Sequence, residues 1–466
     1  MIDPSDVQSI LTRSYAKALA VVLLFNIEDA ELCRRFLSTW LPFVPRGLLE
    51  RDPATPILHF YFSWTGLQQL LRADSTLDIA TGRSQLEWAF TDPSQAPDRA
   101  AMRDQLGFVG ASHSQNWWNR RFETSDIHLA VQVFLDDEAQ KTSVLAQIRD
   151  SATANGLREL QISSFADEAL SGYRPPDGRL HFGYRDGITS PNVNWYDRSD
   201  HDGVDVREFL VGYPTDVYPT SPQRPGPWQD FARNGSYVAL VWMYQDAARF
   251  NAFLDEHAPL AARHVDEKLS REWLAAKLMG RWRDGSPLAR YPDSNPEVPD
   301  LKNEFDYSDD PRGVGCPLTA HIRVVNCRAQ PLSYANQRRF PKGPPRLIRR
   351  GFSYGPKLLG GDDDGKDRGV VGLFYFARLN EQFYTVLRWM QQTEFSDSFG
   401  VAPYTYSNQD ALVGTRAKSG AKPAAAIPLA SGETLHMRLG DFVTYKGVAA
   451  FFAPSTAAIA AISERT

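Results

Sequence analysis

The chain has 466 residues, of which 42% are hydrophobic and 23% charged, as in an ordinary globular protein. This length predicts two or three domains or one large two-lobed unit. The net charge of −5 argues against nucleic-acid binding, which requires a basic surface.

The cysteines and the apolar runs indicate the cellular compartment of the protein. The chain has 3 cysteines and no CxxC pair, which argues against a disulfide framework or a zinc site and favours a reducing compartment. The first residues lack the basic region of a secretory signal, and no apolar run is long enough to span a bilayer. We therefore expect a soluble cytoplasmic protein.

In the first half, strand patterns are followed by helix patterns. The run Ala18–Phe25 is continuously apolar and predicts a buried strand, whereas the apolar residues after Asp29 recur at helical spacing until Pro42. The predicted pairs, strand then helix, are 18–25 with 29–41, 57–62 with 65–71, and 126–135 with 138–150.

The second half repeats the arrangement. Its predicted pairs are 237–244 with 246–257, and 371–376 with 379–390. Two halves built from the same strand–helix units predict a duplicated α+β domain. Polar stretches rich in Gly and Pro separate these units, and long irregular segments in a compact enzyme favour a functional role.

His321 stands out among the 9 histidines. An apolar residue flanks it on each side, and Arg323 and Arg328 follow. No HxH or HxxxH pair occurs, which argues against a multi-histidine zinc or copper site. A lone imidazole between apolar residues and cations suits a haem iron ligand with arginines beside the propionates. A buried histidine in a strand also explains the segment, and the segment alone favours that explanation.

Two further segments carry polar groups suited to catalysis. Asp186 lies in a GxxDG motif, where glycines permit a sharp turn or a flat ligand, and it could serve as a general acid–base. An Asp-Gly turn without chemical function explains the motif as well. Arg349 and Arg350 precede Gly351, where they suit propionate binding, a catalytic cation or a solvated turn.

Together, the three segments resemble the dye-decolourising peroxidase family. The matching patterns are GxxDG followed by Ile-x-x-Pro, Cys-Pro-x-x-Ala-His-Ile-Arg, and Arg-Arg-Gly-x-x-Tyr-Gly. Further matches lie at 280–288, at 372–374 with 381–383, and at 410–414, and the resemblance is strongest between residues 182 and 414. The chain departs from the family at Cys327, at Ala411 and at Phe352-Ser353, which leaves the pocket shape open.

The resemblance implies an α+β fold of duplicated ferredoxin-like domains with antiparallel sheets. Haem b (iron protoporphyrin IX) would lie between the sheet and the helices of the second half. The implied divisions are an N-terminal half at 1–170, a connecting segment with the GxxDG motif at 171–235, and a C-terminal haem-binding half at 236–466.

The resemblance also implies residue roles. His321 is then the iron ligand, Asp410 is its hydrogen-bond partner, and Asp186 and Arg349 are the catalytic pair on the peroxide side. Arg349 is preferred to Arg350 by its spacing from the Gly351 turn. The other implied positions are cofactor contacts at Arg323, Arg349, Leu373 and Phe374, and surface electron transfer at Tyr354 and Trp389, for which core packing is an equal alternative.

The implied activity is reduction of hydrogen peroxide to water and oxidation of dyes, phenols or other one-electron donors through a ferryl porphyrin-radical intermediate. The expected partners are hydrogen peroxide and small aromatic reductants, with no nucleic acid and no membrane, and the protein is a monomer or a homo-oligomer. The alternative is a haem-binding or haem-transfer protein of the same fold with little turnover.

Overall fold

One antiparallel sheet organises the protein. In this computed structural model the structure describes residues 2–72, 74, 76–195, 203–214, 225–328, 333–334, 337–338, 344–391, 409–417 and 424–464. The strands are Leu19–Ile27 (β1), Ile57–Phe62 (β2), Leu129–Leu135 (β3), Leu157–Glu159 (β4), Leu170–Tyr173 (β5), Val193–Asn194 (β6), Val204–Asp205 (β7), Ser236–Gln245 (β8), Ser333–Tyr334 (β9), Gln337–Arg338 (β10), Ile348–Arg349 (β11), Phe352–Tyr354 (β12), Gly369–Phe376 (β13), Ala424–Pro428 (β14), Thr434–Arg438 (β15) and Val443–Ala453 (β16).

The main sheet closes on itself. Strands of the first half lie in the order β5–β1–β3–β2, with β4 also beside β1, and strands of the second half lie in the order β12–β13–β8–β16. Phe62 of β2 pairs with Phe452 of β16, and Tyr173 of β5 pairs with Ser353 of β12. These two junctions join the halves into one ring, and β11 adds a short strand to β13.

Helices follow the strands and cover the sheet. They are Ala30–Trp40 (α1), Trp64–Leu70 (α2), Ile79–Gln85 (α3), Trp88–Thr91 (α4), Ala100–Leu106 (α5), Glu138–Ala154 (α6), Pro227–Ala232 (α7), Ala247–Ala261 (α8), Glu267–Met279 (α9), His321–Val325 (α10), Thr385–Gln391 (α11) and Thr456–Ser463 (α12), with a π-helix at Leu379–Tyr384. Short 3-10 helices lie at Pro4–Asp6, Leu41–Phe43, Pro93–Gln95, Gly110–Ser112, Ser114–Arg120, Thr124–Asp126 and Val206–Glu208.

Local sequence explains where the main helices begin. Asp29, Asp137 and Asp246 each precede a helix, and each carboxylate accepts a hydrogen bond from a backbone N–H in the first turn. This contact satisfies one of the donors that a helix start leaves unpaired. The predicted strand–helix pairs are therefore confirmed, with bounds shifted by a few residues.

Two predicted local structures differ from the observed ones. The helix predicted over 379–390 begins as the π-helix and continues as α11. His321 is the first residue of α10 rather than part of a strand, so the strand alternative is wrong. Among the described residues, no helix combines the length and the apolar character needed to cross a membrane.

Candidate active site

A cavity of about 330 Å³ brings the three motif segments together. Asp186, His321 and Arg349 all line it, although they are far apart in sequence. Much of the remaining wall is apolar, and its side chains include Val241, Met243, Met279, Ile322, Phe374, Phe383, Val386, Leu387, Met390 and Leu412. An apolar cavity with a few converging polar groups is the usual form of a cofactor or small-molecule site.

The His321 imidazole is held from one side by Asp410. Its Nδ1 lies 2.7 Å from Oδ2 of Asp410, whose side chain is fully buried. The other carboxylate oxygen, Oδ1, accepts hydrogen bonds from the backbone N–H groups of Leu412 and Val413 at 2.9 and 3.0 Å. The carboxylate is thus fixed by the turn that follows it, and it leaves Nε2 of His321 available to the cavity.

Arg416 supports the same turn. It donates hydrogen bonds to Oε1 of Gln409 at 2.9 Å and to the backbone oxygen of Ala411 at 2.8 Å. Burial lowers the pKa of Arg416 to about 10, while the nearby charge of Asp410 acts in the opposite direction. No motif or spacing in the sequence pointed to this arginine, because its contacts are with backbone and amide oxygens.

Asp186 lies on an exposed turn at the cavity. Gly183 and Gly187 flank it with φ values of +85° and +79°, a conformation that favours glycine. The backbone N–H of Asp186 donates to the backbone oxygen of Gly178 at 2.9 Å, which closes the turn. The glycines of the GxxDG motif therefore shape the backbone that presents this carboxylate.

The two neighbouring arginines point to different surroundings. Arg349 lines the cavity and donates a hydrogen bond from Nη2 to Oγ1 of Thr189, which ties it to the Asp186 segment. Arg350 is largely buried and donates from Nε to the backbone oxygens of Ile10 and Arg13 at 2.8 and 2.9 Å. The geometry therefore favours Arg349, the residue preferred from spacing.

Two other arginines lie side by side at the cavity. Arg281 and Arg328 both line it, both contact Asn303, and both lie over the ring of Phe305, at 5.3 and 3.6 Å. The Nε atom of each is buried and has no hydrogen-bond partner among the described residues. The pKa of Arg281 falls to about 10, first because of burial and then because of the charge of Arg328. Such a pair favours an anionic ligand.

Two predicted cofactor contacts lie elsewhere. Arg323 is 0% exposed, forms an ion pair with Asp310 at 3.0 Å, and stacks over Tyr307. Leu373 packs in the main core, whereas its neighbour Phe374 lines the cavity, because successive side chains of a strand face opposite sides. Neither Arg323 nor Leu373 is part of the described cavity wall.

The two residues expected to transfer electrons at the surface differ in exposure. Tyr354 is only 3% exposed, and its hydroxyl donates to Oδ1 of Asp367 at 3.0 Å. The expectation of a surface position is therefore wrong for Tyr354, because its ring packs against Phe165 and Trp242 in the main core. Trp389 is partly exposed on α11.

Comparisons with known proteins concern the chain as a whole. No protein-family model matches the chain. The chain is 29% identical to dye-decolorizing peroxidase msp1 of Mycetinis scorodonius, over 98% of this chain and 86% of that protein. It is 29% identical to the multifunctional dye peroxidase DyP2 of Amycolatopsis sp., over 97% and 94% of the two chains.

The fold is also shared with solved structures. A fungal DyP-type peroxidase from Auricularia auricula-judae matches with a TM-score of 0.79, covering 99% of both chains at 22% identity. A dye-decolorizing peroxidase solved with 2,6-dimethoxyphenol matches with a TM-score of 0.75, covering 99% of this chain and 100% of that chain at 23% identity. The chain is thus similar over nearly its whole length to dye-decolorizing peroxidases, and it shares the fold of the solved ones.

Proposed function

We propose that this chain is a haem peroxidase that reduces hydrogen peroxide to water and oxidises dyes, phenols or other one-electron donors. The observation that carries the proposal is the cavity in which His321, bound to Asp410, lies together with Asp186 and Arg349. The names of the curated relatives, which are dye-decolorizing peroxidases, support the same activity.

The residues present fit haem b. His321 offers an imidazole nitrogen for the iron, and the apolar wall suits the porphyrin faces. The guanidinium groups of Arg281 and Arg328 line the cavity, and their buried Nε atoms have no partner within the part of the chain that the structure describes. They suit the two propionates, so these arginines take the role first expected of Arg323. When bound, haem supplies iron that exchanges electrons with peroxide and with the reductant.

The chain's own residues transfer the proton and stabilise the charge that develops during peroxide reduction. Asp186 accepts a proton from the bound peroxide and returns it to the departing oxygen. Arg349, held by Thr189, stabilises the negative charge that develops on that oxygen. Asp410 keeps the proton of His321 on Nδ1, which makes Nε2 a stronger electron donor.

The proposal also covers the domain organisation, the partners and the cellular location. The matching strand orders of the two halves support duplicated ferredoxin-like domains, with divisions at 1–170, 171–235 and 236–466. Hydrogen peroxide and small aromatic reductants are the partners. The cytoplasm is the proposed location, because Cys33, Cys316 and Cys327 are free thiols, which suits a reducing compartment.

The proposal is tested by mixing haem-loaded protein with hydrogen peroxide in a stopped-flow spectrometer. The wild type should change its Soret spectrum rapidly, and Asp186→Asn and Arg349→Leu should each slow the change by about 10²-fold while retaining haem. Asp177→Asn is a matched control, because Asp177 is an exposed carboxylate outside the cavity wall that pairs with Lys357. A wild type that binds haem but leaves peroxide unreacted would support the haem-transfer alternative.

A further inference from the structure

Gln382 is a fully buried glutamine in the π-helix, beside the cavity wall. Its Oε1 accepts hydrogen bonds from the backbone N–H groups of Ala377 and Arg378, at 3.1 and 2.9 Å. Its Nε2 donates to the backbone oxygens of Glu208 and Arg346, at 3.0 and 2.8 Å. A glutamine amide has two donor hydrogens and one acceptor oxygen with two lone pairs, so the whole capacity of this side chain is used.

These four hydrogen bonds join three separate stretches of backbone. One is the segment that leaves β13 at Ala377, the second is the 3-10 helix at Val206–Glu208, and the third is the segment that carries Arg346 toward β11. Arg346 lines the cavity, as does Phe383, the residue after Gln382. Gln382 therefore fixes the spacing between two parts of the wall without being part of the described wall itself.

Arg346 places another positive charge at this wall. Burial lowers its pKa, Glu208 acts to raise it, and the nearby charge of Arg328 lowers it further. Arg346 lines the same cavity as Arg281 and Arg328, so it shares a wall with the pair that suits an anionic ligand. A guanidinium binds a carboxylate well only when its position is fixed, because the bidentate geometry is directional.

We propose that Gln382 is a positioning residue that fixes Arg346 against the cavity, and that Arg346 is a third cationic contact for the carboxylates of the bound cofactor. This inference rests on the proposed haem-binding function. The hydrogen bonds of Gln382 hold the backbone of Arg346, so the loss of the amide displaces the charged side chain relative to the cavity.

The test measures how fast haem leaves the protein, using an excess of a haem-accepting globin to capture it. Gln382→Leu keeps a similar volume but removes all four hydrogen bonds, and we expect haem to dissociate at least about tenfold faster. Arg346→Leu should give an increase of similar size. An unchanged dissociation rate in Arg346→Leu overturns the cationic contact.

Gln8→Leu is the matched control for lost packing and hydrogen bonds. Gln8 is 1% exposed, and its Nε2 also donates to two backbone oxygens, those of Phe60 and Pro454. Its Oε1 lies 2.9 Å from Nδ1 of His59, and Gln8 is outside the cavity wall. We expect Gln8→Leu to lower the melting temperature as much as Gln382→Leu but to leave haem dissociation unchanged. Equal acceleration in both variants overturns the positioning role.

Haem dimethyl ester separates the carboxylate contact from general loosening of the cavity. Its propionates carry no charge, so Gln382→Leu and Arg346→Leu should release it at the wild-type rate. The double variant should release ordinary haem no faster than Arg346→Leu alone, because Gln382 acts through that arginine. Acceleration that persists with the ester, or that multiplies in the double variant, overturns the inference.

Two further outcomes are distinguished by the design. If Gln382→Leu does not fold, Gln382→Glu takes its place, because it retains the acceptor oxygen and changes the donor side, and the same comparisons apply. If the wild type itself binds no haem, the proposed function fails. If the wild type binds haem and the Gln382 variants release it normally, only the inference fails.

Discussion

The contact between His321 and Asp410 is constrained at both oxygens of the carboxylate. A fully buried carboxylate accepts one hydrogen bond from the imidazole and two from backbone N–H groups. These three hydrogen bonds satisfy both oxygens of the buried carboxyl group and fix its orientation. In the proposed function, this contact makes His321 a stronger electron donor toward the cofactor.

Replacing Asp410 by Asn tests this role. The amide is a weaker acceptor, so we expect haem to remain bound while the reduction potential of the loaded protein rises and peroxide turnover falls on the order of tenfold. Spectroelectrochemical titration measures the potential. Asp441→Asn is the control, because Asp441 accepts the backbone N–H of nearby Arg416 without contacting His321 in the described hydrogen bonds. An unchanged potential in Asp410→Asn would contradict the role.

Which arginines reach the cavity could not be predicted from their positions in the sequence. Sequence order placed Arg323 close to His321, but Arg323 turns away because Asp310 and the carbonyl oxygen of Cys316 accept its N–H groups. Arg281 and Arg328 reach the cavity because Asn303 holds both. Asp310 and Asn303 lie in a long irregular segment, 284–314, whose conformation has no periodic signal in the sequence.

At the scale of elements, the existence of the strands and helices could be predicted, because burial leaves a periodic pattern of apolar residues in the sequence. β2 and β3 are buried along their whole length, and their runs are continuously apolar apart from His59 and Gln132. The π-helix could not be predicted, because its apolar spacing resembles that of an α-helix. Within it, Gln382 donates hydrogen bonds to the backbone oxygens of Glu208 and Arg346, which are distant in sequence.

The close packing of α2 on β3 gives a prediction of stability. A Cβ atom on Gly66 would lie 2.0 Å from the backbone oxygen of His128, which cannot move without disturbing the start of β3. We expect Gly66→Ala to lower the free energy of unfolding by about 1–3 kcal/mol, measured by chemical denaturation. Gly361→Ala is the control, because no atom of the described residues lies within 4 Å of its Cβ position. Equal stabilities for the two variants would contradict this account of the packing.

The 3-10 helix at Val206–Glu208 gives a prediction of pH dependence. Burial raises the pKa of Glu208 to about 7, although the charges of Arg346 and Arg378 lower it and that of Asp205 raises it. The folded pKa lies above the usual 4.5, so this carboxyl stabilises the fold fully below about pH 4.5 and loses that effect as pH rises to about 7.

Melting temperatures of the wild type and Glu208→Gln, measured between about pH 4 and pH 8, test this assignment. The wild type should lose stability relative to the variant as pH rises through this window, because the amide in the variant does not ionise. A difference that is constant with pH, or that favours the wild type more strongly at high pH, would contradict the buried-carboxyl interpretation.

At the scale of the whole molecule, closure of the sheet places the cavity. The strand patterns predicted two similar halves, but the ring depends on the β2–β16 and β5–β12 junctions. These pairings join residues 390 and 180 positions apart, and register between distant strands has no local signal. The motif segments were expected to meet, and the structure places all three on the wall of one cavity.

The absorption spectrum of haem-loaded protein tests the central claim most directly. The wild type should show a ferric Soret band that changes within seconds of adding one equivalent of hydrogen peroxide. His321→Ala should lose both the spectrum of histidine-bound haem and the change on adding peroxide. A His321→Ala protein whose spectrum and peroxide response equal those of the wild type would contradict the account.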